Sequence, residues 1–146
     1  MKKRILSLLL SLLLLFSCAP GVLARGAGSS YEIIEGGCGP ELWWSLDLAC
    51  QQLTISGSGP MYDFEGHGPW YNYTDSIMTV EVCEGVTSVG AYAFADLSLW
   101  ELDLPYTLEQ FPISAVEGCS LLVNVNAADG GVFYSVEGVL FERTDL

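Results

Sequence analysis

The sequence is poor in basic residues. It contains five Lys and Arg against 18 Asp and Glu, which gives a formal net charge of −13. Three of the five, Lys2, Lys3 and Arg4, stand at the very start, and Arg25 and Arg143 are the other two. Such an acidic chain repels nucleic acid and anionic lipid, so we expect neither as a partner. The charge favours basic partners instead.

Histidine is nearly absent as well, since His67 is the only one. The spacing of the cysteines matches no zinc pattern, and His67 stands near none of them. The acidic residues around it come with neither a Gly-x-Ser-x-Gly motif nor a metal-ligating helix. We therefore predict no catalytic residue, no metal site and no cofactor.

Long apolar runs are missing except at the N-terminus, where residues 5–16 form an unbroken stretch of Leu, Ile, Ser and Phe. This stretch follows the basic start and is shorter than the roughly 20 residues that a membrane-spanning helix needs. The pattern predicts a signal peptide over residues 1–24, cleaved between Ala24 and Arg25. The mature chain would then be extracellular or at the cell surface, without a membrane span.

An alternative fate for the N-terminus depends on Cys18. A lipoprotein signal places a cysteine directly after the apolar core, and Cys18 stands there, but the bulky Phe16 does not suit the lipoprotein peptidase. We favour cleavage after Ala24 over a lipid anchor at Cys18. That cleavage would remove three cations and take the net charge from −13 to −16.

Four cysteines remain after the signal peptide: Cys38, Cys50, Cys83 and Cys119. Outside the cytoplasm thiols can oxidise, and four cysteines allow three different pairings. We name Cys38–Cys50 as the candidate disulfide. Cys83 and Cys119 can equally be buried small apolar residues.

The mature chain divides into three segments by composition. Residues 25–30 predict a flexible leader. Residues 31–75 predict an N-terminal β cap, in which alternating apolar residues indicate a hairpin over 42–56 and an aromatic loop follows. Residues 76–146 predict leucine-rich repeats.

The repeats show a period of 22 residues. The segment 77–82 matches 99–104, and Val86, Val89 and Phe94 match residues 22 positions later. A period of 20–29 residues with one short alternating strand per unit is typical of a leucine-rich repeat solenoid with a parallel sheet. The third strand arrives one residue early, which would point Val123 and Val125 inward.

The alternate strand positions would point to solvent and form a ligand-binding face. Trp100 is the aromatic residue that we expect to be exposed. We expect five others to fill the cap core more readily than form a sugar-binding platform: Trp43, Trp44, Trp70, Tyr71 and Tyr73. The predicted face consists of Thr79, Glu81, Trp100, Glu101, Asp103, Asn124 and Asn126.

Several motifs resemble the bacterial BspA-like leucine-rich repeat family. Residues 85–94 resemble its G-V-T-x-I-G-x-x-A-F core, residues 133–141 resemble its Y-x-S-x-D-G-V-L-F/Y hairpin, and residues 38–70 resemble its leader. Val116 departs from the pattern, which usually has Phe there. The resemblance implies a mainly β repeat protein of the cell surface, tied to adhesion and protein binding, without catalysis.

The sequence thus predicts an exported, non-enzymatic module that binds an extracellular protein or glycan. Two alternatives stay open. The chain could be an accessory module or fragment of a larger secreted enzyme, or a structural spacer of a surface assembly.

Overall fold

A computed structural model describes residues 32–144 of the chain. The predicted signal peptide, its cleavage site at Ala24 and Arg25, Cys18 and the leader 25–30 lie outside the described residues. Two 3₁₀ helices occur in the described part, at Tyr71–Ser76 and Ile113–Val116. The strands of this part are β1 (Ile33–Gly37), β2 (Leu42–Asp47), β3 (Gln52–Gly57), β4 (Gly59–Pro60), β5 (Thr79–Val82), β6 (Val86–Ser88), β7 (Glu101–Leu104), β8 (Asn124–Ala127), β9 (Phe133–Val136) and β10 (Val139–Glu142).

The main sheet is open and mixed, with six strands in the order β1-β2-β3-β5-β7-β8. Strands β1, β2 and β3 pair antiparallel, so the hairpin predicted over 42–56 is confirmed. From β3 onward the pairs β3–β5, β5–β7 and β7–β8 are parallel. The chain is therefore mainly β, and its parallel strands lie beside an antiparallel N-terminal part.

Strand β1 ends with two glycines, Gly36 and Gly37. Gly36 pairs with Trp44, and a Cβ on Gly36 would lie 2.6 Å from the indole Nε1 of Trp44. A glycine inside a strand often marks such a close approach. It allows the Trp44 ring to lie flat against the β1 backbone.

The 22-residue offset is confirmed between the first two repeats. Thr79 pairs with Glu101 and Glu81 with Asp103 in the sheet. The return segments keep the same offset, since the amide of Glu109 donates to the carbonyl of Thr87 at 2.8 Å. The strand and the return segment of one coil therefore both lie beside the equivalent residues of the next coil.

The third strand was predicted incorrectly. Leu102 pairs with Val125 and Leu104 with Ala127, so the offset becomes 23 and the strand arrives one residue late. Val125 and Ala127 point inward, whereas Val123 is 63% exposed. The alternation of apolar residues is the same for 123, 125 and 127, and it cannot distinguish registers that differ by two residues.

The core lies between the parallel strands and the return segments. Its inward strand residues Leu53, Val80 and Leu102 are fully buried. Trp70 from the aromatic loop is also fully buried, and its indole N–H donates to the carbonyl of Ala93 at 2.9 Å. The ring lies 5.8 Å from Trp44 and 5.7 Å from Phe94, centroid to centroid, so the loop packs onto the first repeat.

The candidate disulfide Cys38–Cys50 is not formed, and this prediction is corrected. Cys38 and Cys50 are both free thiols. Cys38 precedes β2 and is buried, while Cys50 lies exposed in the turn after β2. The six-residue strand between them spans about 20 Å, far beyond the reach of a disulfide.

Candidate interaction surface

The outward positions of β5, β7 and β8 form two aligned rows across the sheet. Their inward neighbours Val80 and Leu102 are fully buried, and strand alternation turns the residues between them to the other face. We call this set the outer face. The first row is Thr79, Glu101 and Asn124, and the second is Glu81, Asp103 and Asn126.

Amide side chains hold the carboxylates of the outer face in place. The Nδ2 of Asn126 donates to Glu101 Oε1 at 3.0 Å and to Asp103 Oδ1 at 2.8 Å. The Nε2 of Gln52 on β3 donates to Glu81 Oε2 at 2.7 Å. Neutral donors orient a carboxylate but leave its charge in place, so the three carboxylates present fixed negative charge.

Basic side chains are scarce in the described part. In residues 32–144 the only Lys or Arg is Arg143, which lies over the ring of Tyr134 on the β9–β10 hairpin at 5.3 Å. The three carboxylates give the outer face a negative potential. Such a surface attracts positively charged groups and repels anions.

An apolar column runs along one side of the outer face, and the sequence analysis identified only Trp100 of its three members. We call Met78, Trp100 and Val123 the apolar column; their side chains are 41%, 51% and 63% exposed. The members lie at equivalent positions on neighbouring strands, just before β5, β7 and β8. They add a hydrophobic strip directly beside the first polar row.

Shared hydrogen bonds turn this column outward. The amides of Trp100 and Glu101 both donate to the carbonyl of Met78, and the amides of Val123 and Asn124 both donate to that of Trp100. When the amides of two successive residues donate to one carbonyl, the two side chains lie on the same face of the sheet instead of on opposite faces, as in a β-bulge. Met78 and Trp100 share one position of the 22-residue repeat, which is the sequence signal for the column.

The structure brings all the predicted ligand-face residues onto three neighbouring strands. Trp100 is exposed, as expected. Trp44 and Trp70 are buried, whereas Trp43 is 64% exposed and so does not fill the core. Trp43 lies on β2, three strands across and about five residues along from Trp100, which separates the two by about 20 Å. The two exposed tryptophans therefore do not form one sugar-binding platform. The role of the face in binding a ligand stays a prediction.

Within residues 32–144 no group of three or more His, Cys, Asp or Glu side chains is arranged to hold a metal ion. His67 stacks on Tyr71 with a centroid distance of 3.7 Å, and its Nδ1 lies 4.0 Å from Asp96 Oδ2. Both partners of this contact are exposed at the surface of the aromatic loop. No helix in the described range is long and apolar enough to cross a membrane.

Comparison with known proteins gives one structural likeness. No family model and no curated protein matches the chain. A solved structure that is similar to it is a leucine-rich repeat protein from Eubacterium ventriosum, at 15% sequence identity and a TM-score of 0.38. The match covers 77% of this chain and 49% of the other, so the chain spans about half the length of that protein.

Proposed function

We propose that the chain is a non-catalytic leucine-rich repeat module of the BspA-like kind, and that it binds a basic extracellular protein through the outer face. The observation that carries this proposal is the set of three fixed carboxylates on neighbouring strands, next to an exposed apolar column. A protein partner fits this mixture better than a glycan does, because the exposed tryptophans lie far apart.

The repeat architecture supports the proposal, because each repeat adds equivalent outward residues to the outer face. The 22-residue offset on both the strand side and the return side is what we expect of a short solenoid. Each added coil places another pair of outward residues beside the previous pair. A small chain thereby builds a continuous face from side chains of three strands.

Export is a part of the proposal that depends on the sequence alone. The basic start and the short apolar run of residues 5–16 favour a signal peptide, and cleavage after Ala24 would release the module outside the cytoplasm. The intact mass of the chain secreted by its own cell tests this step. A start at Arg25 supports it, whereas a lipid-modified start at Cys18 would replace release by a membrane tether.

The charge part is tested with an octalysine peptide and two triple variants of equal net charge. The face variant carries Glu81→Gln, Glu101→Gln and Asp103→Asn. The control variant carries Glu65→Gln, Glu109→Gln and Glu117→Gln, all at exposed sites away from the outer face. We expect the face variant to weaken binding at least tenfold and the control less than threefold, with a steep loss of affinity in salt.

Two results would overturn the proposal. Equal weakening by both triple variants would mean that overall charge attracts the peptide and that the outer face is not the site. Absence of saturable binding to any basic probe would favour the structural-spacer alternative.

A further inference from the structure

We infer that the partner presents an amphipathic basic helix, which lies across strands β5, β7 and β8 with its apolar stripe on the apolar column. This inference rests on the proposed function and specifies the partner's shape. Its basic flank would face the second row, where Glu81 and Asp103 stand.

The spacing of the apolar column suits a helix. Met78, Trp100 and Val123 lie directly before three neighbouring strands, and the spacing between neighbouring strands is about 4.8 Å. Side chains three or four residues apart on one helix face recur about every 5–6 Å. Side chains on one face of an extended segment recur about every 6.8 Å, which drifts out of step with the column over three members.

The width of the face fits the same shape. Glu81 lies three residues along β5 from Met78, and Asp103 lies three residues from Trp100, so the column and the acidic positions are about 10 Å apart. A helix with its side chains is about 10–12 Å across. One helix can therefore place apolar side chains on the column and Lys or Arg side chains on the carboxylates at the same time.

The edge of the sheet is closed to an incoming strand at β8. The amide of Val125 donates to the carbonyl of Gly138 at 3.0 Å, and the amide of Ala127 donates to Ser135 Oγ at 3.1 Å. The β9–β10 hairpin thus satisfies the donors through which a peptide would extend the sheet. A partner that binds near β8 can therefore contact the outer face but cannot pair with the edge strand.

Fixed carboxylates favour this mode of binding. The bridge from Asn126 to both Glu101 and Asp103 orders the two acidic side chains before a partner arrives. Less side-chain freedom is then lost on binding. A cation on one helix flank meets a preformed pair of acceptors.

The test compares two 15-residue peptides of identical Leu and Lys composition. One repeats Leu with helical periodicity, and the other alternates Leu and Lys as a strand does. We expect the helical peptide to bind at least tenfold more tightly and to gain helical circular dichroism on binding. Trp100→Ser should weaken binding of the helical peptide at least tenfold. Trp43→Ser, at a similarly exposed tryptophan of β2, should leave the affinity within twofold of that of the unchanged chain.

The outcomes separate the two proposals. Equal binding of both peptides, abolished by the Glu81→Gln, Glu101→Gln, Asp103→Asn variant, would overturn the helix and leave the acidic face as the binding site. Tighter binding of the alternating peptide would overturn the helix as well. Insensitivity of both peptides to the face variant would overturn both proposals. Because Trp100 is exposed, the Trp100→Ser variant should fold. Met78→Ser is a second variant, and it should weaken binding of the helical peptide but not of the alternating one.

Discussion

The middle of the main sheet and its β8 end differ in how completely they bury their apolar residues. In the middle Leu53 of β3 is fully buried, and the aromatic loop, whose Trp70 is also fully buried, packs onto the first repeat. At the β8 end Val125 is only half-buried, and Val136, Val139 and Phe141 of the hairpin are exposed. The difference teaches that the stacking interactions which stabilise the fold weaken along the sheet.

A single pair of equivalent residues shows the same decline. Phe94 in the first repeat is fully buried and packs on Trp70, whereas Val116, which stands 22 positions later, is half-buried. The smaller side chain fills less of the space between coils. We therefore expect substitutions of the large apolar residues around Trp70 and Phe94 to cost more stability than substitutions near β8.

The largest loss is expected from Trp70→Ala. This change removes a fully buried ring that contacts Trp44, Phe64 and Phe94, and it should lower the free energy of unfolding by about 3–5 kcal/mol. Urea titration followed by circular dichroism measures it. Trp43→Ala is the control and should cost less than about 1 kcal/mol, because most of that ring is exposed. Equal losses would contradict the assignment of the core.

A direct comparison of the middle of the sheet with its β8 end uses inward residues of neighbouring strands. Leu102→Ala on β7 should cost about 2–5 kcal/mol, since the side chain is fully buried. Val125→Ala on β8 should cost about 1 kcal/mol, because that side chain is only half-buried. The same urea titration reports both values. A larger loss for Val125→Ala would show that the β8 end is as well packed as the centre.

The N-terminal end should also respond to alkaline pH. Burial raises the pKa of Cys38 from 9.0 to about 12. Above pH 9 the unfolded thiol releases a proton that the folded state retains, so stability falls as pH rises toward 12, by about 1.4 kcal/mol per unit. Below pH 9 the thiol has no effect. Urea midpoints at pH 8.5, 9.5 and 10.5 test this, and Cys38→Ala should show a shallower decline.

A smaller effect is expected from the hydroxyl that joins the first two coils. Thr107 Oγ1 accepts a hydrogen bond from the amide of Gly85 at 3.0 Å and donates one to the carbonyl of Val86 at 2.9 Å. Thr107→Val keeps the shape but removes both bonds, and it should cost about 1 kcal/mol. Thr107→Ser retains the hydroxyl and should restore most of the loss. If Thr107→Val is neutral while Thr107→Ser destabilises, the methyl group and not the hydroxyl joins the coils.

Much of the fold follows from sequence periodicity. Alternation predicted the β2–β3 hairpin, and the 22-residue repeat predicted the pairing of β5 with β7. The register of β8 could not be predicted, because Val123, Val125 and Ala127 all have the same parity. In the structure the amides of Val123 and Asn124 both donate to the carbonyl of Trp100, and β8 begins at Asn124. This leaves Val125 and Ala127 as the inward residues of the strand.

The candidate site was predictable in its polar part and not in its apolar part. Glu81, Glu101 and Asp103 follow from strand alternation. The outward turn of Met78 and Val123 does not, because it depends on paired amides that share one acceptor. The Cys38–Cys50 pairing failed for a related reason: nearness in the sequence says nothing about distance when a strand separates the two residues.

The most direct test of the interaction surface is a titration of the ¹⁵N-labelled mature chain with the helical Leu/Lys peptide, followed by amide chemical shifts. The account predicts that the largest shifts fall on residues 78–81, 100–103 and 123–126. Shifts that centre on the aromatic loop or the return segments, with the outer face unchanged, would contradict it.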